Sequence, residues 1–229
     1  AMLYEHGLAM EQKPFAVGVR IEHPRAMIDR SQYGGVAGHP ALGAAEYKLS
    51  VRPRDGRGVY TFCMCPGGEV IAAASEEGGL VVNGMSEFAR DAENSNSALL
   101  VGVGPGDFGG GAYAADHPLA GIDFQRRMER AAFALGGGGY RAPIQLTGDF
   151  LAGRASTGLG DVKPSYLPGV TPSDLRECLP GFVADSLRAA LPALGRQLAG
   201  FDRPDAVLTG VESRSSSPVR ILRDEKAQA

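Results

Sequence analysis

The sequence predicts an α+β fold: an antiparallel β-subdomain with an inserted small helical subdomain and no Rossmann unit. Three observations carry this. Alternating segments rich in β-branched residues run up to Val103. From Pro118 the apolar period lengthens to that of a helix. From Ala206 alternation returns. Strands and helices segregate rather than interleave, which argues against a doubly wound sheet. The expected parts are a β-rich part over 1–112, a helical insertion over 113–200, and C-terminal strands over 201–229 returning to the β part.

Each element has a local reason. Phe15 to Ile21 and Tyr47 to Arg52 alternate and read as strands. Gly58 to Cys65, Val70 to Ala74 and Leu80 to Asn83 read as consecutive antiparallel strands, split by Pro/Gly and Glu/Gly turns. Arg25 to Tyr33 follows Pro24 as a short helix. Phe124, Met128, Ala131, Ala132 and Leu135 form one helical stripe, with Pro118 near its start and Gly136 at its stop. Thr171 to Asp174 opens a further helix, with Thr171 as cap. Val183, Leu187, Ala190, Leu191, Leu194 and Leu198 form the last stripe, which Pro192 is expected to kink or split. Ala206 to Arg214 and Val219 to Arg223 return to strands.

Composition excludes several classes. A chain of 229 residues holds one large domain or two small ones. Its net charge of -3 gives no electrostatic case for nucleic acid. No run approaches the roughly 20 apolar residues of a membrane span, and the start shows no cleavable signal pattern. Three cysteines cannot all pair, and Cys-x-Cys spacing is awkward for a disulfide, so a reducing, cytoplasmic setting is expected. There is no Gly-x-Ser-x-Gly elbow, no His-Glu-x-x-His and no phosphate loop. Gly102-Val103-Gly104-Pro105-Gly106-Asp107 resembles a dinucleotide turn only superficially. Asp stands where the last Gly belongs, and Pro where a helix should begin.

The most informative stretch is Cys63-Met64-Cys65-Pro66-Gly67-Gly68. Cysteines at i and i+2 of a strand point to one face, and Pro-Gly-Gly turns the backbone with no side chain in the way. Sulfur and bare backbone are then offered to a flat ligand. A metal site would need about four ligands, and no metal is expected here. A catalytic thiol needs a base or positive field, and no basic neighbour is visible in the sequence. On residues alone, Cys63 and Cys65 read as small buried strand residues.

Other polar groups have paired readings. Glu76 sits at a Glu-Gly turn, either solvated or near a substrate. Arg90, Asp91, Asn94, Asn96 and Ser97 form a polar run that either satisfies loop backbone or clamps a ligand. Glu212 and Arg214 share a strand face, as an ion pair or as contacts to an anion. Arg154, Ser156, Thr157, Lys163 and Ser165 lie on a long loop, either pinned to the body or folded over a cofactor.

Taken in order, Gly18 to Pro24, Phe62 to Gly68, Ala73 to Gly78, Asn83 to Ser86, Ala89 to Asp91, Gly148 to Leu151, Gly200 to Asp205, Gly210 to Arg214 and Ser217 to Ile221 carry a resemblance. The chain resembles the uncharacterised bacterial family of FAD-dependent dehydrogenases, often labelled NAD(FAD)-utilizing dehydrogenases. The match covers nearly the whole chain but only the middle of such a protein, between two halves of a flavin-binding domain. It implies a substrate-binding or capping fragment of a flavin-dependent oxidoreductase. In the intact protein, hydride would pass between a nicotinamide donor, NAD(P)H, FAD and an unknown substrate. FAD is not expected to stay bound to this fragment alone.

The implied partners are the flavin-binding domain of the same polypeptide and a small-molecule substrate. The resemblance makes Cys63, Met64, Cys65, Pro66, Gly67 and Gly68 a wall of the flavin pocket. Glu76, Arg90, Asn94, Glu212 and Arg214 become candidate substrate contacts. Cys63, Cys65 and Arg214 are the catalytic candidates. If these segments border one site, Cys63 to Gly68 and Glu212 to Arg214 must meet at one end of the β-subdomain. The competing reading is a non-catalytic binding or structural module.

Overall fold

The computed structural model describes residues 1–54, 56–223 and 225–226. In chain order the elements are α1 (Met2–Glu5), β1 (Met10–Gln12), β2 (Phe15–Pro24), α2 (Arg25–Tyr33), β3 (Ser50–Val51), β4 (Val59–Cys65), β5 (Glu69–Ala72) and β6 (Val82–Met85). β7 (Asn94–Val103), α3 (Ala120–Leu135), β8 (Ala142–Leu146), α4 (Thr147–Ala152), β9 (Val170–Pro172), α5 (Gly181–Gln197), β10 (Val207–Glu212) and β11 (Val219–Ile221) complete them.

One seven-stranded sheet runs in the order β3-β4-β7-β2-β10-β8-β9. Every pairing in it is antiparallel except β8 with β9. The fold is therefore the α+β, antiparallel-rich kind that the segregated pattern predicts. β2 and β7 pair along ten residues each and form its spine. Val17, Val19 and Ile21 on β2, and Leu99 and Val101 on β7, enter the main core. Strand alternation sends Ala16, Gly18, Arg20 and Glu22 to the opposite face. That face is buried too, so β2 reads as a nearly continuous apolar run broken by charges.

The helical stripes seal the core. Phe124, Met128 and Ala132 of α3 and Leu187, Leu191 and Leu194 of α5 are all buried in it. Full burial of each large apolar side chain contributes about 1.5–3 kcal/mol. α3 stops at Gly136, where a side chain has no room: a Cβ there would collide with the Arg141 carbonyl.

Several expectations are corrected. α5 runs unbroken through Pro192. Pro192 lies on the exposed side, where water can meet the carbonyl it leaves unbonded, while the buried leucines keep the helix seated. Thr171 caps no helix. It lies in β9, an edge strand that tolerates Pro172, and Asp174 instead caps a single 3-10 turn at Leu175–Glu177.

The segment 113–200 is not purely helical, since it supplies β8 and β9 to the main sheet. Ala142–Leu146 is a short apolar run containing Pro143, whose periodicity does not separate strand from helix. β5 and β6 form a separate hairpin rather than continuing the sheet from β4. β10 rejoins the main sheet, but β11 pairs with β1 in its own ribbon. Among the described residues, no helix is long and apolar enough to cross a membrane.

Candidate functional site

The site grows from Arg20, whose side chain is fully buried on the polar face of β2. A guanidinium removed from water must have its donors met. Nη1 donates to Glu212 Oε2 at 3.1 Å, and Nε to Asn96 Oδ1 at 3.0 Å. Nη2 donates to the Cys63 carbonyl at 2.9 Å and reaches Cys65 Sγ at 3.4 Å. Gly84 of β6 lies flat on this group, since a Cβ there would run into both the guanidinium and Asn96. Arg20 thus joins β2, β4, β7 and β10 beneath the β5–β6 hairpin. Cys63 and Glu212, expected to border one site, are bridged by a single side chain. Burial pushes the Glu212 carboxyl up, against the pull of Arg20, and burial likewise raises the Cys65 thiol.

A bulge controls the two cysteines. Phe62 lies opposite Ala98 but Cys65 lies opposite Asn96, so β4 carries one extra residue there. Cys63 takes φ of +42°, uncommon for a residue with a Cβ. The expected shared face does not hold, because the bulge ends the alternation. Cys63 is exposed, whereas Cys65 is half-buried with its sulfur on Arg20. The basic neighbour that sequence spacing did not reveal is therefore Arg20. Met64 is half-buried beside them and packs on the core.

Pro66, Gly67 and Gly68 are not bare backbone; all three are buried. A Cβ at Gly67 would strike the Arg90 carbonyl, and one at Gly68 the Met85 carbonyl. The Gly67 and Gly68 amides donate to Ser95 Oγ and to the Asn94 carbonyl. Ser86 Oγ donates to the Pro66 carbonyl at 2.8 Å. These glycines let two stretches of this chain close on each other.

The polar run after Arg90 divides. Asn94, Asn96 and Ser97 are buried within β7 rather than in a loop. Asn94 Nδ2 donates to Glu22 Oε1 at 3.1 Å and to the Lys163 carbonyl at 2.7 Å. Arg90 turns away to an exposed ion pair with Glu46. On the long loop, Ser165 donates to Glu22 and Ser156 to Asp149, which pins it to the body. Burial raises the Glu22 carboxyl, and its Oε2 has no partner among the described residues.

A second centre forms where β10 ends. An Arg214–Glu212 ion pair, one of the two readings of this strand end, is absent among the described residues, because Glu212 turns to Arg20. Arg214 instead grips Glu129 of α3, Nε to Oε1 at 2.9 Å and Nη2 to Oε2 at 2.7 Å, and also donates to Ser75. Ser213 Oγ donates to the same Glu129 at 2.6 Å. Glu76 accepts a two-pronged contact from Arg126, which holds its carboxyl below the usual range. Glu76, Gln125, Arg126, Arg214, Ser216 and Ser217 are among the walls of a cavity of about 380 Å³. Among the described residues, no group of three or more His, Cys, Asp or Glu side chains is placed to hold a metal ion.

Arg20, Glu22, Glu129 and Arg126 were not singled out from the sequence. For Arg20 and Glu22 a signal existed: two charges at i and i+2 inside a β-branched run demand buried partners. Glu129 carried none, since its partner lies 85 residues away in the sequence.

The profile described as "FAD-dependent protein, C-terminal domain-like" matches residues 14–215. An uncharacterised protein of Clostridium beijerinckii is 51% identical over 229 residues, covering all of this chain and 42% of that protein. The chain thus spans less than half the length of that relative. It belongs to the family of FAD-dependent protein, C-terminal domain-like sequences.

Proposed function

We propose that this chain is the substrate-binding or capping part of a cytoplasmic, flavin-dependent oxidoreductase of bacterial type. The reading rests on family membership and on one observation: Arg20 ties Cys63, Cys65 and Glu212 into a single rigid centre. Beside it Phe62, 44% exposed, and the exposed Cys63 offer an apolar edge to the flavin-binding domain of the same polypeptide. A small-molecule substrate would enter by the cavity at Arg214 and Glu76, with NAD(P)H as the hydride donor to the flavin.

The residues of this chain do not by themselves fit FAD. Gly67 and Gly68 are filled by neighbouring backbone, and Pro105–Asp107 is one 3-10 turn rather than a helix start that cradles phosphate. The proposal therefore assigns the cofactor's grip to the flavin-binding domain. This chain's part is to shape the cavity and fix Arg214 and Cys63. The alternative of a non-catalytic module is favoured by one fact: Glu76 and Arg214 are each already matched to an internal partner.

Adding FAD to the isolated chain and to the intact parent, followed by flavin absorbance and fluorescence, tests the reading. The parent is expected to hold flavin. The chain alone should bind it more weakly than about 1 μM. A colourless parent that takes up no FAD sinks the oxidoreductase reading. Micromolar or tighter binding by the chain alone sinks the division of labour.

A further inference from the structure

After α2 the chain turns through Gly34, Gly35, Val36, Ala37 and Gly38. Gly34 and Gly38 take φ of +59° and +85°, where glycine is favoured. Gly35 has no positive φ, and a Cβ there would meet nothing within 4 Å. Neither backbone conformation nor packing accounts for its missing side chain, which leaves the peptide bare. The turn folds back along α2 and, with Arg25, Asp29 and Arg30, lines a cavity of about 640 Å³.

Two arginines line this cavity. Arg20, Arg57, Arg126, Arg176, Arg203 and Arg214 are each matched to a carboxylate. Arg25 and Arg30 have no carboxylate partner among the described residues. Arg25 Nε is buried without any hydrogen-bond partner among the described residues. Asp29 Oδ1 is taken by the Ala45 amide at 2.7 Å.

We propose that this groove binds the diphosphate group of a small soluble ligand. A guanidinium presents a planar fork that matches phosphate oxygens, and bare glycine amides accept close approach of an anion. The C-terminal end of α2 opposes an anion, and Arg30 in its last turn offsets that. The cavity falls in the size range of small-molecule sites and exceeds what one phosphate fills. None of these residues lines the cavity at Arg214, so this site and the flavin reading stand or fall separately.

Calorimetric titration of the chain with inorganic pyrophosphate tests it. One saturable event is expected, at about 1 mM or tighter. Arg30→Gln and Gly35→Leu should each weaken it at least tenfold, and Arg196→Gln, an exposed arginine on α5, should not. Arg30 and Gly35 are exposed, so both variants should unfold cooperatively like the parent chain. Repeating with ADP separates the sources: tighter binding than pyrophosphate marks a nucleotide, equal binding a free diphosphate. No saturable heat with either probe overturns the proposal. So does unchanged affinity in Arg30→Gln and Gly35→Leu, or sulfate competing as well as pyrophosphate.

Discussion

Glu212 and Arg214 lie two residues apart at the end of β10, yet their partners put them in different worlds. The Arg20–Glu212 pair has side-chain exposures of 0% and 5%. The Arg214–Glu129 pair has exposures of 34% and 2%, so its cation still meets solvent. The first pair is closed on all sides by strands and by Gly84. The second opens on a cavity. The contrast separates a charge that holds the sheet and hairpin together from one that solvent still reaches.

The largest expected effect comes from breaking the sealed pair. Arg20→Ala strands the Glu212 carboxyl and Asn96 Oδ1 in the interior. Removing one partner of a buried pair costs about 3–5 kcal/mol, to be read from urea unfolding. Replacing both Arg20 and Glu212 with leucine should cost less than the sum of the single changes. A loss under about 1 kcal/mol for Arg20→Ala would remove the scaffold role.

Next in size is a pH effect at the other end of β2. His23 is buried, its Nε2 donates to the Phe201 carbonyl at 2.7 Å, and burial lowers its pKa to about 4. In the unfolded chain it titrates near 6.5. Between these values the unfolded state binds more protons, so His23 makes stability fall as pH drops from 6.5 towards 4. The shift corresponds to about 3 kcal/mol over that window. Glu22 and Glu212, both raised by burial, act in the opposite sense: their contribution is lost as pH rises through their folded values. His23→Gln should therefore flatten the acid side of the stability profile relative to the unaltered chain. Equal slopes in the two would show that His23 is not held neutral.

How much of this was legible in the sequence follows the range of the forces. Local pattern was readable: the α3 stripe and the strand of β2 appear where periodicity put them, and the helix Arg25–Tyr33 where Pro24 marked its start. Tertiary override was not. Thr171 and Asp174 look like a helix cap, but β8 offers backbone partners and Thr171 becomes strand. Gly67-Gly68 reads as a bare turn only while the Arg90 and Met85 backbones that fill it are out of view. That Cys63 and Glu212 come together was expected only through the family resemblance, as segments bordering one site. That Arg20 joins them was not, because a buried arginine inside a strand declares a need for partners without naming them.

Gly84→Ala probes the sealed pair from the hairpin side. The added methyl has no room against the guanidinium and Asn96, so β6 must lift or Arg20 must shift. Overpacking of this kind costs about 1–3 kcal/mol. Gly102→Ala is the matched control, since a Cβ there meets nothing within 4 Å. If both variants unfold at the same denaturant concentration, Gly84 is not the lid over Arg20.

The smallest stability effect, and the one that tests function, belongs to Arg214→Lys. A lysine keeps a cation beside Glu129, which is nearly sealed, and loses only the two-pronged fit. Because the arginine is one-third exposed, the loss should stay within about 1 kcal/mol. If the cavity at Arg214 takes substrate in the intact protein, the same change should slow flavin reduction or turnover at least about tenfold, or about 1.4 kcal/mol of barrier. The two pairs then part cleanly: Arg20 governs folding and Arg214 governs rate. A turnover unchanged by Arg214→Lys, alongside unchanged stability, would leave the exposed pair as a surface contact. It would then move substrate recognition elsewhere on the chain.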